Sequence, residues 1–84
     1  MKLIFSGIAF KQLSKLAPDI QNRINGKLDF YLSQKDPLDF AEKLNDYGFG
    51  EWRFRIGNYR VVFDVDGDKI IILKVGHRKD IYKC

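Results

Sequence analysis

Trp52-Arg53-Phe54-Arg55-Ile56-Gly57-Asn58-Tyr59-Arg60-Val61-Val62-Phe63-Asp64-Val65 decides the fold. Two runs of alternating apolar and charged or β-branched residues flank Gly57-Asn58, a pair that tolerates positive φ, and this pattern predicts a β-hairpin with a two-residue loop. That loop pairs Ile56 with Tyr59, Arg55 with Arg60, Phe54 with Val61 and Arg53 with Val62. Alternation then places Trp52, Phe54, Ile56, Tyr59, Val61 and Phe63 on a core face, and Arg53, Arg55 and Arg60 on the other. Like charges opposed across strands cost stability, so three arginines on one face predict an anionic ligand; a solvated outer face is the plainer reading of the same residues.

A second turn at Asp66-Gly67-Asp68 leads into Lys69-Ile70-Ile71-Ile72-Leu73-Lys74-Val75, completing a three-strand meander. This last strand is apolar on both faces. A two-residue turn puts Ile70 and Ile72 with the core, and Ile71, Leu73 and Val75 on the face of Arg60, with His77 following them if the strand continues. An apolar patch there predicts cover by the chain's tail or by a partner.

Upstream, Leu3-Ile4-Phe5 predicts a short opening strand that must join the meander. Ser6 caps a first helix with Phe10, Leu13 and Leu16 or Ala17 on its inner stripe. Pro18 opens a second helix, reaching about Ser33, with Ile20, Ile24, Leu28, Tyr31 and Leu32 inward. Asp36-Pro37 repeats the cap-then-proline start and predicts a short third helix with Leu38, Ala41 and Leu44 inward, ending near Asn45 to Gly48. The fold class is therefore α+β, one domain over residues 1–84: a small antiparallel or mixed sheet with an N-terminal helical hairpin on one face.

Composition narrows the chemistry. Net charge is +4, with 7 basic and 6 acidic residues over 1–50 and 8 basic and 5 acidic over 51–84. The excess accompanies the aromatic strand half, as on a nucleic-acid or acidic-partner surface. One Cys and one His make no zinc set, and no glycine-rich phosphate loop precedes a helix. Asp64, Asp66 and Asp68 read as turn acids. Neither a metal nor a cofactor is expected. Nor is a membrane partner, because Met1 to Phe5 is too short a run for a leader or span; a cytoplasmic location is the simplest expectation. The segment Gly76-His77-Arg78-Lys79-Asp80-Ile81-Tyr82 adds a histidine, cations and a phenol, groups able to move protons and to neutralise a phosphate.

These two segments, residues 52–63 and 75–82, together with the strand–helix–helix opening, resemble the RelE/ParE superfamily of toxins from type II toxin–antitoxin systems. The basic and tyrosine positions of the tail look more like the RelE branch. That resemblance implies a RelE-like fold and a metal-independent endoribonuclease, an mRNA interferase that cuts message in the ribosomal decoding site. There the ribose 2′-hydroxyl attacks the adjacent phosphate, giving a cyclic phosphate and a free 5′ end. By motif position Arg60 and Arg78 hold the scissile phosphate, Tyr82 stacks on a base or exchanges a proton, and His77 shares the proton transfer. Arg53, Arg55 and Lys79 contribute to RNA binding. Glu51 and Arg53 stand where some relatives carry lysines, which leaves Glu51 as one possible base. Implied partners are the ribosome, mRNA and a RelB-like antitoxin in a hetero-oligomer, the antitoxin covering Ile71, Leu73 and Val75. Two alternatives stand beside this reading: a ParE-like inhibitor that binds DNA gyrase, and a decayed toxin that binds only its antitoxin.

Overall fold

The computed structural model describes residues 1–44 and 50–81. Its elements are β1 (Lys2–Phe5), α1 (Gly7–Ser14), α2 (Pro18–Ser33), a 3-10 turn (Pro37–Phe40), β2 (Ala41–Lys43), β3 (Trp52–Ile56), β4 (Tyr59–Asp66) and β5 (Lys69–His77). The strands form one sheet in the order β1-β5-β4-β3-β2. β1 runs parallel to β5, and every other pair is antiparallel. This is the expected α+β class with a mixed sheet, and α1 and α2 lie against one face.

Both hairpins form as the residues dictate. Gly57 and Gly67 adopt φ of 59° and 61°, a left-handed conformation that glycine enters without a Cβ penalty. β3 pairs with β4 in the register read from sequence, from Ile56 with Tyr59 to Trp52 with Phe63. Ser6 caps α1, its Oγ accepting the N–H of Ala9 at 3.1 Å. Pro18 fills the first turn of α2, where its missing N–H costs nothing.

Three expectations are corrected. The segment after Asp36 is no third α-helix: it makes one 3-10 turn, capped by Asp36 Oδ1 on the N–H of Leu38 at 3.1 Å, and then extends as β2. β2 pairs Ala41 with Phe54, Glu42 with Arg53 and Lys43 with Trp52. The end expected for that helix, Asn45 to Gly48, lies outside the described residues. On α1 the buried residues are Ala9 and Leu13, whereas Phe10 is 61% exposed. The last correction matters most. Ile72 pairs with Phe63 but Lys74 pairs with Val62, so Leu73 is an extra residue on β5 and the ladder carries a bulge. Downstream of it every side chain changes face. Val75 faces the core beside Val61, 2% exposed, and is not part of an outer patch.

The core lies between the helices and the sheet. A column of rings runs through it, Tyr31 on Phe54 at 4.6 Å and Phe54 on Phe63 at 4.5 Å between centroids, with the exposed Phe40 ending the column on Tyr31 at 5.2 Å. Offset stacks of this kind add about 0.5–1.5 kcal/mol each beyond area burial. The opposite face is covered in part by the chain itself. Val62 is fully buried there, and a Cβ on Gly50 would stand 2.8 Å from Val62 Cγ1 and 3.0 Å from Leu73 Cδ1.

Gly50→Ala drives a methyl into Val62 and Leu73, so urea denaturation loses about 1–3 kcal/mol; unchanged stability would show that this cover is loose. Burial raises the Tyr31 phenol above its ordinary value of 10.0. The folded state favours the neutral phenol, so its contribution is complete below that value and disappears as pH rises through the higher folded one. An absorbance titration should show one late-ionising tyrosine that is missing in Tyr31→Phe.

Candidate functional site

The β3–β4 turn gathers cations by register. Arg55 and Arg60 face each other across the ladder two residues from Gly57 and Asn58, and Arg78 is brought to the same end because its N–H donates to Asn58 O at 2.7 Å. Arg60 is the buried charged residue of the described chain, 6% exposed. Its Nη1 donates to Gly57 O and Tyr59 O, both at 2.9 Å, which fixes the guanidinium against the turn. A cation held by carbonyls and shielded from water acts on a nearby anion more strongly than a mobile surface one. Arg78 and Lys79 are exposed.

The Leu73 bulge sends His77 to the other side. It pairs with Tyr59, with ring centroids 5.5 Å apart and edge to face, so its ring leaves the face of Arg55 and Arg60 where an unbroken strand would have put it. Gly76 takes the place opposite Arg60 instead, and Ile81 folds over it: a Cβ on Gly76 would lie 3.4 Å from Ile81 Cδ1. Ile81 is 3% exposed, so the tail covers this end of the outer face. Ile71 and Leu73 remain half-buried on that face. Tyr82 lies outside the described residues.

Glu51 is placed away from this cluster. Its N–H donates to Asp64 Oδ1 at 2.8 Å and its carbonyl accepts the N–H of Leu44 at 2.8 Å. Asp64 is four residues along β4 from Arg60, about 13 Å at ~3.3 Å per residue. The structure therefore unites Arg55, Arg60 and Arg78, sets His77 behind them, and leaves Glu51 at the far end of the hairpin.

Glu42 escapes a sequence reading. From β2 its carboxylate pairs with Arg53 Nη2 at 3.3 Å and Arg55 Nε at 3.4 Å, so the arginine face is partly neutralised from within. The only signal was the brief alternation of Ala41-Glu42-Lys43. Gln12 and Lys15 of α1 were missed as well. Gln12 Oε1 accepts the N–H of Val75 at 2.8 Å where β5 runs beyond β1, and both residues line a cleft of about 470 Å³ with Tyr59, Val75 and His77. Among the described residues no group of His, Cys, Asp and Glu could hold a metal ion, and no helix is long and apolar enough to cross a membrane.

Glu42 and Arg55 are solvated and Arg53 is half-buried, so Glu42→Gln changes stability by about 1 kcal/mol. It should strengthen binding of a polyanion such as heparin severalfold and steepen the salt dependence, as titrations at two ionic strengths will read. Weaker binding would mean that Glu42 organises the arginines instead of opposing them.

Residues 3–82 match the family model described as the ParE toxin of the type II toxin–antitoxin system parDE. The chain is 33% identical to toxin RelE3 of Methanocaldococcus jannaschii, covering 98% of this chain and 96% of that protein. It is 31% identical to toxin RelG of Mycobacterium tuberculosis, covering 94% and 92%. Among solved structures it is similar to the toxin–antitoxin complex RelBE2 of Mycobacterium tuberculosis, with TM-score 0.79 and 29% identity over 92% of this chain and 96% of that one. The RelB–RelE antitoxin–toxin complex of Methanococcus jannaschii superposes with TM-score 0.70 and 31% identity over 95% of both chains. Fold, register and these likenesses agree: the chain is a toxin of the RelE/ParE family of type II toxin–antitoxin systems.

Proposed function

We infer that this toxin is a ribosome-dependent endoribonuclease that cuts mRNA in the decoding site. The observation that carries the reading is the fixed guanidinium of Arg60, with Arg55 opposite it in the ladder and the backbone of Arg78 tied to the same turn. A guanidinium held in this way is preorganised to meet an anion such as a phosphodiester. The RelE-named relatives support the nuclease branch, and dependence on the ribosome comes from that resemblance.

In the proposed reaction the ribose 2′-oxygen attacks phosphorus and loses its proton to a base. The P–O5′ bond breaks and the leaving 5′-oxygen takes up a proton, leaving a 2′,3′-cyclic phosphate and a 5′-hydroxyl. Arg60 and Arg78 neutralise the charge that grows on the phosphoryl oxygens. Arg53, Arg55 and Lys79 bind the flanking backbone. Tyr82, by its place in the motif, stacks on a base or exchanges a proton. A RelB-like antitoxin that masks Ile71, Leu73 and the arginine face is the proposed regulator, in a hetero-oligomer in the cytoplasm.

Primer extension on messages with purified protein, with and without translating ribosomes, tests the reading. New cuts inside decoding-site codons are expected only when ribosomes are present. Arg78→Ala is the cleaner variant, because Arg78 is exposed, and should reduce cutting about 10²–10³-fold with an unchanged melting curve. Arg60→Ala also removes cutting but leaves the Gly57 and Tyr59 carbonyls without their donor, at a cost of about 1–3 kcal/mol. Undiminished cutting by both variants refutes the site. Growth arrest with uncut message and a DNA-damage response would favour gyrase inhibition, the activity associated with the ParE branch.

A further inference from the structure

His77 accepts three hydrogen bonds from the tail. Its carbonyl accepts the N–H groups of Asp80 at 2.8 Å and Ile81 at 3.0 Å, closing the turn that follows β5. Its ring Nδ1 accepts the N–H of Lys79 at 3.1 Å. Between these, Arg78 donates its own N–H to Asn58 O at 2.7 Å, which ties the turn to the β3–β4 loop. The ring is steadied by the edge of Tyr59, its partner across the ladder. A side-chain acceptor on residue i receiving the N–H of residue i+2 is the geometry asparagine and aspartate use in Asx turns.

We propose that His77 is a positioning residue for Arg78: its Nδ1 is a hydrogen-bond acceptor that shapes the Arg78–Lys79 turn, and the imidazole transfers no proton to or from the substrate. Several observations support this. The ring projects to the face opposite Arg55 and Arg60, and Nδ1 is already engaged by the backbone. With Nδ1 accepting, the neutral ring carries its proton on Nε2. The turn it closes places Arg78 at the β3–β4 loop and Ile81 over Gly76. The consequence for cutting rests on the nuclease reading above; the role in the turn does not.

The two levels are tested separately. His77 is the only histidine, so its ring nitrogens are identified without ambiguity in a 15N spectrum near pH 8. The proposal expects a protonated Nε2 and an unprotonated, hydrogen-bonded Nδ1; a proton on Nδ1 overturns it. For cutting, His77→Asn supplies an amide oxygen able to accept the Lys79 N–H but cannot act as an acid or base. His77→Ala supplies neither. With melting curves confirming that both fold, His77→Asn should cut within about threefold of wild type, whereas His77→Ala should lose about 100-fold, the scale of a small misplacement of a reacting group. Equal loss in both variants, with the Nδ1 acceptor confirmed in wild type, would assign the ring a chemical role and overturn the proposal. Full activity of His77→Ala overturns it too. Should wild type cut nothing, the nuclease reading fails, and the 15N result still decides the fastening role.

Discussion

One extra residue in β5 governs how the chain is arranged at the β3–β4 turn. Without Leu73 as a bulge, Val75 and His77 would share the outer face with Arg60, and Gly76 would turn toward the helices. With it, Val75 completes the core, His77 meets Tyr59, and a glycine lies opposite the buried arginine. The vacancy left by a missing Cβ is filled by Ile81, so the tail returns across the sheet end and brings Arg78 against the β3–β4 turn. Bulges commonly re-aim side chains beside functional sites, and here the re-aimed residues are those of the tail motif.

The electrostatic design follows from that geometry. Arg60 is nearly dry and tied to two carbonyls, Arg78 is wet, and Arg53 and Arg55 share a carboxylate. A buried cation fixed by its own turn contributes little reorganisation when an anion arrives, while exposed arginines supply attraction that salt screens. Glu42 moderates the repulsion between neighbouring arginines at small cost, since ion pairs that remain in reach of water are weak in either direction. The sheet edge is handled with equal economy. Where β1 stops, Gln12 takes up the N–H of Val75, so β5 extends beyond its parallel neighbour without losing that hydrogen bond.

How much of this was legible depended on whether a segment's pattern carried phase. β3 and β4 alternate and are separated by Gly57-Asn58, so their register was readable residue by residue. Ile70 to Leu73 are apolar on both faces, and a run without alternation cannot reveal a slipped residue; the places of Val75 and His77 were therefore misread downstream. Asp36-Pro37 marks a helical start but not its length, because the same cap begins a 3-10 turn. β2 has three residues, too few for a period, and with it Glu42 was hidden. On α1 the bulk of Phe10 outweighed the better geometry of Ala9. The arginines themselves were readable. Their neutralising partner was not, since it comes from an element that only tertiary pairing creates.

In the proposed reaction the arginines brought to the β3–β4 turn accelerate attack of a ribose hydroxyl on its own phosphate. A message carrying a single 2′-deoxynucleotide immediately 5′ of the scissile phosphate, placed in the decoding site of a stalled ribosome, tests it most directly. This message should stay intact while the all-ribose control is cut to a 2′,3′-cyclic phosphate and a 5′-hydroxyl. Equal cutting of the two messages would contradict it, because the nucleophile would then be something other than the neighbouring hydroxyl.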